Sequence, residues 1–125
     1  MNAMHLAQKA YSSATAPIRT PQSNEYQLIS TITARLKTAA RSRASGFAGF
    51  VAALHENRRL WVMLAGNVAD ADNALPETLR ARLLYLAEFT FQHTGQVLNG
   101  AAEADVLIDI NTAVMRGLRQ QATVS

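Results

Sequence analysis

Apolar residues spaced at threes and fours recur in five separate blocks of this chain, and no segment sustains the alternation of a half-buried strand. Stripes of that period can be hidden only by packing helix against helix. The fold class expected is therefore all-α, a bundle of about five helices: three long, one short N-terminal and one C-terminal. Met4, Ala7 and Tyr11 mark a short helix over Met1–Ser13, whose stability in isolation is marginal, so it must dock to persist. Residues 14–20 (ATAPIRT) read as a linker, and Thr20 before Pro21 forms an N-cap and first-turn pair. The second helix carries Tyr26, Ile29, Thr33, Leu36 and Ala40 until Ser42, Ser45 and Gly46 interrupt it.

A third helix is expected from about Phe47 to Ala69, with Gly66 and Asn67 favouring a bend or early end, since each costs up to about 1 kcal/mol relative to alanine. Pro76 and Glu77 suit the first turn of a fourth, and Gly100 its stop. Leu84, Phe89, Phe91 and Leu98 make this fourth helix apolar all round, the pattern of a central helix. The fifth runs from about Ala102 to Arg119, and Gln120 to Ser125 read as a frayed tail.

Length and composition fit one domain over residues 1–125. With 49% hydrophobic and 17% charged residues the chain is too apolar to be disordered. Without a cysteine it has neither a disulfide framework nor a thiolate zinc site. The first 30 residues lack the apolar run of a secretory signal, and no stretch reaches the roughly 20 apolar residues of a spanning helix. A cytoplasmic location, with no membrane partner, is the expectation.

Twelve Lys plus Arg against nine Asp plus Glu leave a net charge of +3, and the imbalance is local. No acid occurs from Tyr26 to His55, where Arg35, Lys37, Arg41 and Arg43 fall within nine residues. Such a run usually marks a solvated helix end, where cations complement the helix dipole. Its other reading is contact with an acidic partner or nucleic acid.

No catalytic, cofactor-binding or metal-ligating set emerges, and no enzyme is expected. His55 and Glu56 begin like a metalloprotease helix, but Arg59 stands at the next ligand position and would repel a metal. Asp70, Asp72 and Asn73 begin like a calcium loop, yet Ala74, Leu75 and Ala81 occupy later positions that need oxygen ligands or the turn glycine, leaving an ordinary capping loop. Gly46–Gly49 (GFAG) is formally the RNA-clamping GXXG but lacks flanking strands. The three histidines stand on separate helices with no nucleophile patterned beside them.

Two asparagines stand out. Asn57 lies one turn before the only tryptophan, Trp61, and Asn111 interrupts the apolar run Leu107, Ile108 and Ile110. A buried amide must be hydrogen-bonded, so both are expected to tie helices together, with direct partner contact the alternative. Trp61 is read first as core.

The stretches ENRRLWVML (Glu56–Leu64), VADADNALPETLRARLLYLAEF (Val68–Phe89) and LIDINTAVMRGLR (Leu107–Arg119), with AYSSATAPIRTPQSNEY (Ala10–Tyr26), resemble the FlaF family of alphaproteobacterial flagellar regulators. On that resemblance Asn57, Arg58, Leu60, Trp61, Arg80, Tyr85, Asn111, Arg116 and Leu118 are the family-motif positions, structural or partner-binding. The resemblance implies a cytoplasmic protein needed for flagellin production and filament assembly. It also implies action beside a second regulator, FlbT, and close to flagellin, as an export chaperone would act.

Two functions follow as expectations. The first is protein binding, with flagellin or FlbT held on apolar helix faces rimmed by Arg58, Arg80 and Arg116, because the fourth and fifth helices carry more apolar surface than one stripe. The second is direct binding of flagellin messenger RNA through Arg35, Lys37, Arg41 and Arg43. The sequence leans against RNA, since no aromatics interleave the run, and DNA is not expected. A structural homodimer is the blander alternative.

Overall fold

The computed structural model describes residues 21–124, which form four helices: α1 (Pro21–Arg41), α2 (Phe47–Ala69), α3 (Glu77–Leu98) and α4 (Asp105–Val124). No strand occurs among the described residues. The all-α expectation stands, with four helices here instead of about five; the short helix read over Met1–Ser13 lies outside the described residues. All four are long, between 20 and 23 residues.

Punctuation in the sequence sets most boundaries. α1 starts at Pro21, and after it Ser45 donates both its N–H and its hydroxyl to Ser42 O, leading into Gly46 ahead of α2. α2 continues past Gly66 and Asn67 without the early end their propensities suggest. Asn73 Nδ2 reaches back to Asn67 O at 2.9 Å and satisfies one of the last carbonyls. At the end of α3, Gly100 adopts φ 77°, Ala101 N–H donates to Gln96 O at 2.8 Å, and Gly100 N–H donates to Val97 O at 3.1 Å. This is the Schellman closure, and its left-handed residue suits glycine.

The last helix departs from expectation at both ends. It begins at Asp105 instead of about Ala102, because the residues after the Schellman turn redirect the chain and Ala104, 3% exposed, enters the core before the helix starts. It continues to Val124, through residues read as a frayed tail; Arg119, Gln120 and Gln121 are good helix formers and extend it.

Neighbouring helices run antiparallel in the ring order α4–α1–α2–α3. α1 packs on α4 and on α2, α2 packs also on α3, and the contact that would close the ring, α3 on α4, is much the weakest. A ring of four has no central helix. The expectation that α3 would be central is therefore corrected: α2 has the most buried face, whereas α3 buries a narrow stripe of Ala87, Thr90, Thr94 and Val97 and leaves Leu84, Tyr85 and Phe89 exposed.

The interior has three storeys. At the end where the 42–46 and 99–104 loops meet, Leu36, Phe50, Ala53, Leu54, Val97, Ala104 and Leu107 form one apolar cluster. Toward the opposite end, where α1 starts and α4 finishes, Ile29, Ile32, Leu60, Trp61, Leu64 and Ala87 form the other. Between them each helix contributes buried polar residues at one level: Thr33, Asn57, Thr90 with Thr94, and Asn111.

Candidate functional site

The polar storey gathers the buried polar side chains of all four helices, and its hydrogen bonds show what it does. Asn111 Oδ1 accepts from Trp61 Nε1 at 2.9 Å, while Asn111 Nδ2 donates to Asn57 Oδ1 at 2.7 Å and to Thr33 Oγ1 at 3.0 Å. Thr33 in turn donates its hydroxyl to Ile29 O at 2.6 Å, one turn back in α1. One amide thus joins α1, α2 and α4 in a water-excluded interior, where each unmade bond would cost about 1–3 kcal/mol. The surroundings are closed: Asn57, Trp61 and Asn111 expose no surface. The motif asparagines and the tryptophan are inside the bundle, so a partner cannot touch them without opening it.

The weak α3–α4 contact leaves a different kind of place. These helices are fastened near their connecting loop, where His93 Nε2 lies 2.8 Å from Glu103 O; within α3 the Phe89 ring stacks on the His93 imidazole at 5.6 Å. Toward the other end they part around a groove of about 460 Å³. Leu75, Leu79, Leu83 and Leu86 line it from the α3 side, and Ala113, Val114, Gly117 and Leu118 from α4, with Arg82 and Gln120 supplying the polar groups. Beyond the groove, Phe89 and Val106 add exposed apolar surface on α3 and α4 beside the fastened end. The whole seam is thus apolar with a cation beside it, as a docking site for an amphipathic helix requires.

Gly117 is one of four helical glycines that nothing internal requires, with Gly49, Gly66 and Gly95, and the one of them that lines the groove. Its φ is ordinary and a Cβ built there meets nothing within 4 Å, yet glycine inside a helix costs about 1 kcal/mol relative to alanine. What its bareness provides is depth in the groove wall.

The motif positions fall into separate places. Leu60 is buried beside Trp61 in the cluster nearer the groove. Arg58 is exposed and lays its guanidinium over the Phe91 ring at 5.3 Å, joining α2 to α3. Arg80 donates to Asp70 O at 3.4 Å and steadies the 70–76 loop. Arg116 is exposed on α4, and Tyr85, 69% exposed, is the barest large apolar side chain of α3. Leu118 alone of the nine lines the groove. Sequence reasoning missed the other groove residues because their spacing is that of a core stripe; the one available signal was the pairing of small residues, Ala113 and Gly117, one turn apart.

Nor does the basic run present a continuous cationic face. Arg35 pairs with Glu56 at 2.6 Å, and Arg43 lies 3.7 Å from Glu103 and over the Phe50 ring. Lys37 and Arg41 share a surface depression with Asp105 and Asp109 of α4. Acids distant in sequence answer a run that looked unopposed. In the 70–76 loop the oxygens that resembled calcium ligands are turned inward: Asp70 Oδ1 accepts from Asp72 N–H at 3.0 Å and Asn73 Oδ1 from Leu75 N–H at 2.9 Å. Glu25, half-buried near the start of α1, has its carboxyl pushed above the usual carboxylate range by loss of solvent.

The family model for flagellar protein FlaF matches residues 7–118, nearly the whole chain. The chain belongs to the FlaF family. No curated protein and no solved structure matches it. FlaF membership gives the chain a flagellar role. The match takes in all four helices down to Leu118 and therefore both the polar storey and most of the groove. Among the described residues of this FlaF chain, no helix is long and apolar enough to cross a membrane.

Proposed function

We propose that this protein is a cytoplasmic, non-enzymatic flagellar regulator that holds a terminal helix of flagellin along the α3–α4 seam, in the manner of an export chaperone. The observation that carries the reading is the open apolar groove between Leu79, Leu83 and Leu86 on one side and Val114 and Leu118 on the other, in a chain of the FlaF family. Flagellin termini are helical and assembly-prone. An amphipathic helix laid there would exchange water-exposed apolar surface for burial at roughly 25 cal/mol per Å². Arg82 at the rim would pair with a carboxylate on the helix's polar side, and Phe89, Val106 and Tyr85 would extend the contact. While bound, the flagellin helix is withheld from polymerisation.

FlbT is the other candidate partner, as a second regulator acting on flagellin synthesis. Purified protein mixed with flagellin and, separately, with FlbT tests the assignment. A flagellin complex at micromolar concentration that is lost in Leu83→Asp supports it. A complex with FlbT alone, or none with either, overturns it.

A further inference from the structure

The seam between α3 and α4 is bounded by charge of one sign. We infer that its guest is an amphipathic helix with a carboxylate on each edge of its apolar face, held from opposite lips of the groove by Arg82 of α3 and Arg116 of α4. The inference rests on the reading that the groove takes a helix, and it specifies which kind of helix.

The walls carry the argument first. Between Glu77 and Glu88 the α3 wall has Arg80 and Arg82 and no acid, and after Asp109 α4 has Arg116 and Arg119 and no acid. None of the residues lining the groove is acidic. Elsewhere on the bundle the fold brings acids to cations, Glu56 to Arg35 and Glu103 to Arg43. Two of the four wall arginines are also engaged: Arg80 on the Asp70 carbonyl, and Arg119 on the hydroxyl and ring of Tyr26. Arg82 and Arg116 are exposed, and among the described residues neither forms an ion pair.

The two stand across the groove from each other. Arg82 lines it directly, and Arg116 follows Ala113 by three residues and precedes Gln120 by four, which puts it on the same flank of α4 as those two lining residues. The helices run antiparallel, and the contact of His93 Nε2 with Glu103 O sets their register. Eleven residues back from His93 is Arg82, and thirteen on from Glu103 is Arg116, so the two positions differ in height by no more than about one turn.

That arrangement dictates the guest. A helix lying on the apolar floor turns residues i+1 and i+4 downward and offers i and i+5, about 140° apart around its axis, to the two lips. The segment selected therefore reads acid, apolar, two residues of any kind, apolar, acid. A bulky side chain at one of the apolar positions fits over Ala113 and Gly117, where the wall is lowest. A second copy docked seam to seam would set Arg82 and Arg116 against their own counterparts, and like charges so placed reject it as the occupant.

Three synthetic helices of about 18 residues, about five turns, test this. They share one leucine face and differ only at its edges, which carry Glu, Gln or Lys. With the full chain at low salt the Glu-edged helix should bind about tenfold more tightly than the Gln-edged one, about threefold for each exposed pair, and the Lys-edged helix most weakly. The preference should shrink in about 0.5 M salt. Arg82→Gln with Arg116→Gln should erase it. Arg41→Gln with Arg59→Gln removes the same charge from other faces of the bundle and should leave it intact.

Equal binding of the three helices, or the same loss of preference in both double variants, overturns the two-arginine clamp and leaves a helix-binding groove in place. Failure of all three to bind removes the groove reading and the inference with it. If the preference for Glu holds while flagellin itself does not bind, the flagellin assignment falls and the clamp stands.

Discussion

The two ends of this bundle are made from similar residues and do opposite things with them. Around Phe50, Leu54 and Leu107 two short loops tie the helices, the large side chains of the cluster itself are fully covered with only Leu98 and Ile108 half-covered beside them, and Arg43 stitches loop to loop through Glu103. Around Trp61 the buried residues are ringed by many that are only half covered, among them Leu86, Ile110, Val114 and Leu118, because α3 and α4 have parted there. Apolar area alone therefore does not make a core. What decides is whether a fourth helix comes close enough to cover it.

That contrast can be tested by substitution, most severely at the closed end. Phe50→Ala removes a fully buried ring and should destabilise by about 3–5 kcal/mol, measured by urea unfolding. Asn111→Ala leaves Trp61 Nε1 without its acceptor and takes a donor from Thr33 and Asn57, so a loss of about 3 kcal/mol is expected, with the Trp61 fluorescence altered even in the folded protein. Leu83→Ala in the groove should cost less than about 1 kcal/mol, since little native packing is lost. A loss near that of Phe50→Ala would show the groove to be core and end the distinction between the two ends.

The open end should also be improvable. Gly117→Ala should raise stability by about 0.5–1 kcal/mol through helix propensity while weakening whatever seats in the groove. The smallest expected effect is at Glu25. Its folded carboxyl holds its proton more tightly than the unfolded one, so stability is fuller at low pH and declines as pH rises through the window between the two values. Glu25→Gln should accordingly raise Tm slightly at neutral pH and flatten that decline; a lower Tm would show the carboxylate to be stabilising.

Helix number and most boundaries among the described residues were legible because single residues set them: Pro21, Gly46, Pro76 and Gly100 act through their own backbone chemistry. Asn57 and Asn111 were legible as helix ties because a buried amide has few alternatives. The start of α4 was not, since the turn after Gly100 draws Ala104 into a core that only the folded chain defines. The surplus of apolar surface on α3 and α4 was legible, but the groove between them was not. Leu79, Leu83 and Leu86 have the spacing of residues that meet a neighbour, and nothing local records that the neighbour stands off. The basic run misled for the same reason in reverse: Glu56, Glu103, Asp105 and Asp109 approach it only through the fold.

The amide at position 111 sits between a half that stays shut and a half that gapes, and its location has a mechanical consequence. Sliding any of the three bonded helices by one turn would strand its hydrogen bonds among leucines, so the helices can spread at one extremity without losing alignment at the other. The storey works as a bulkhead between the closed half and the open one.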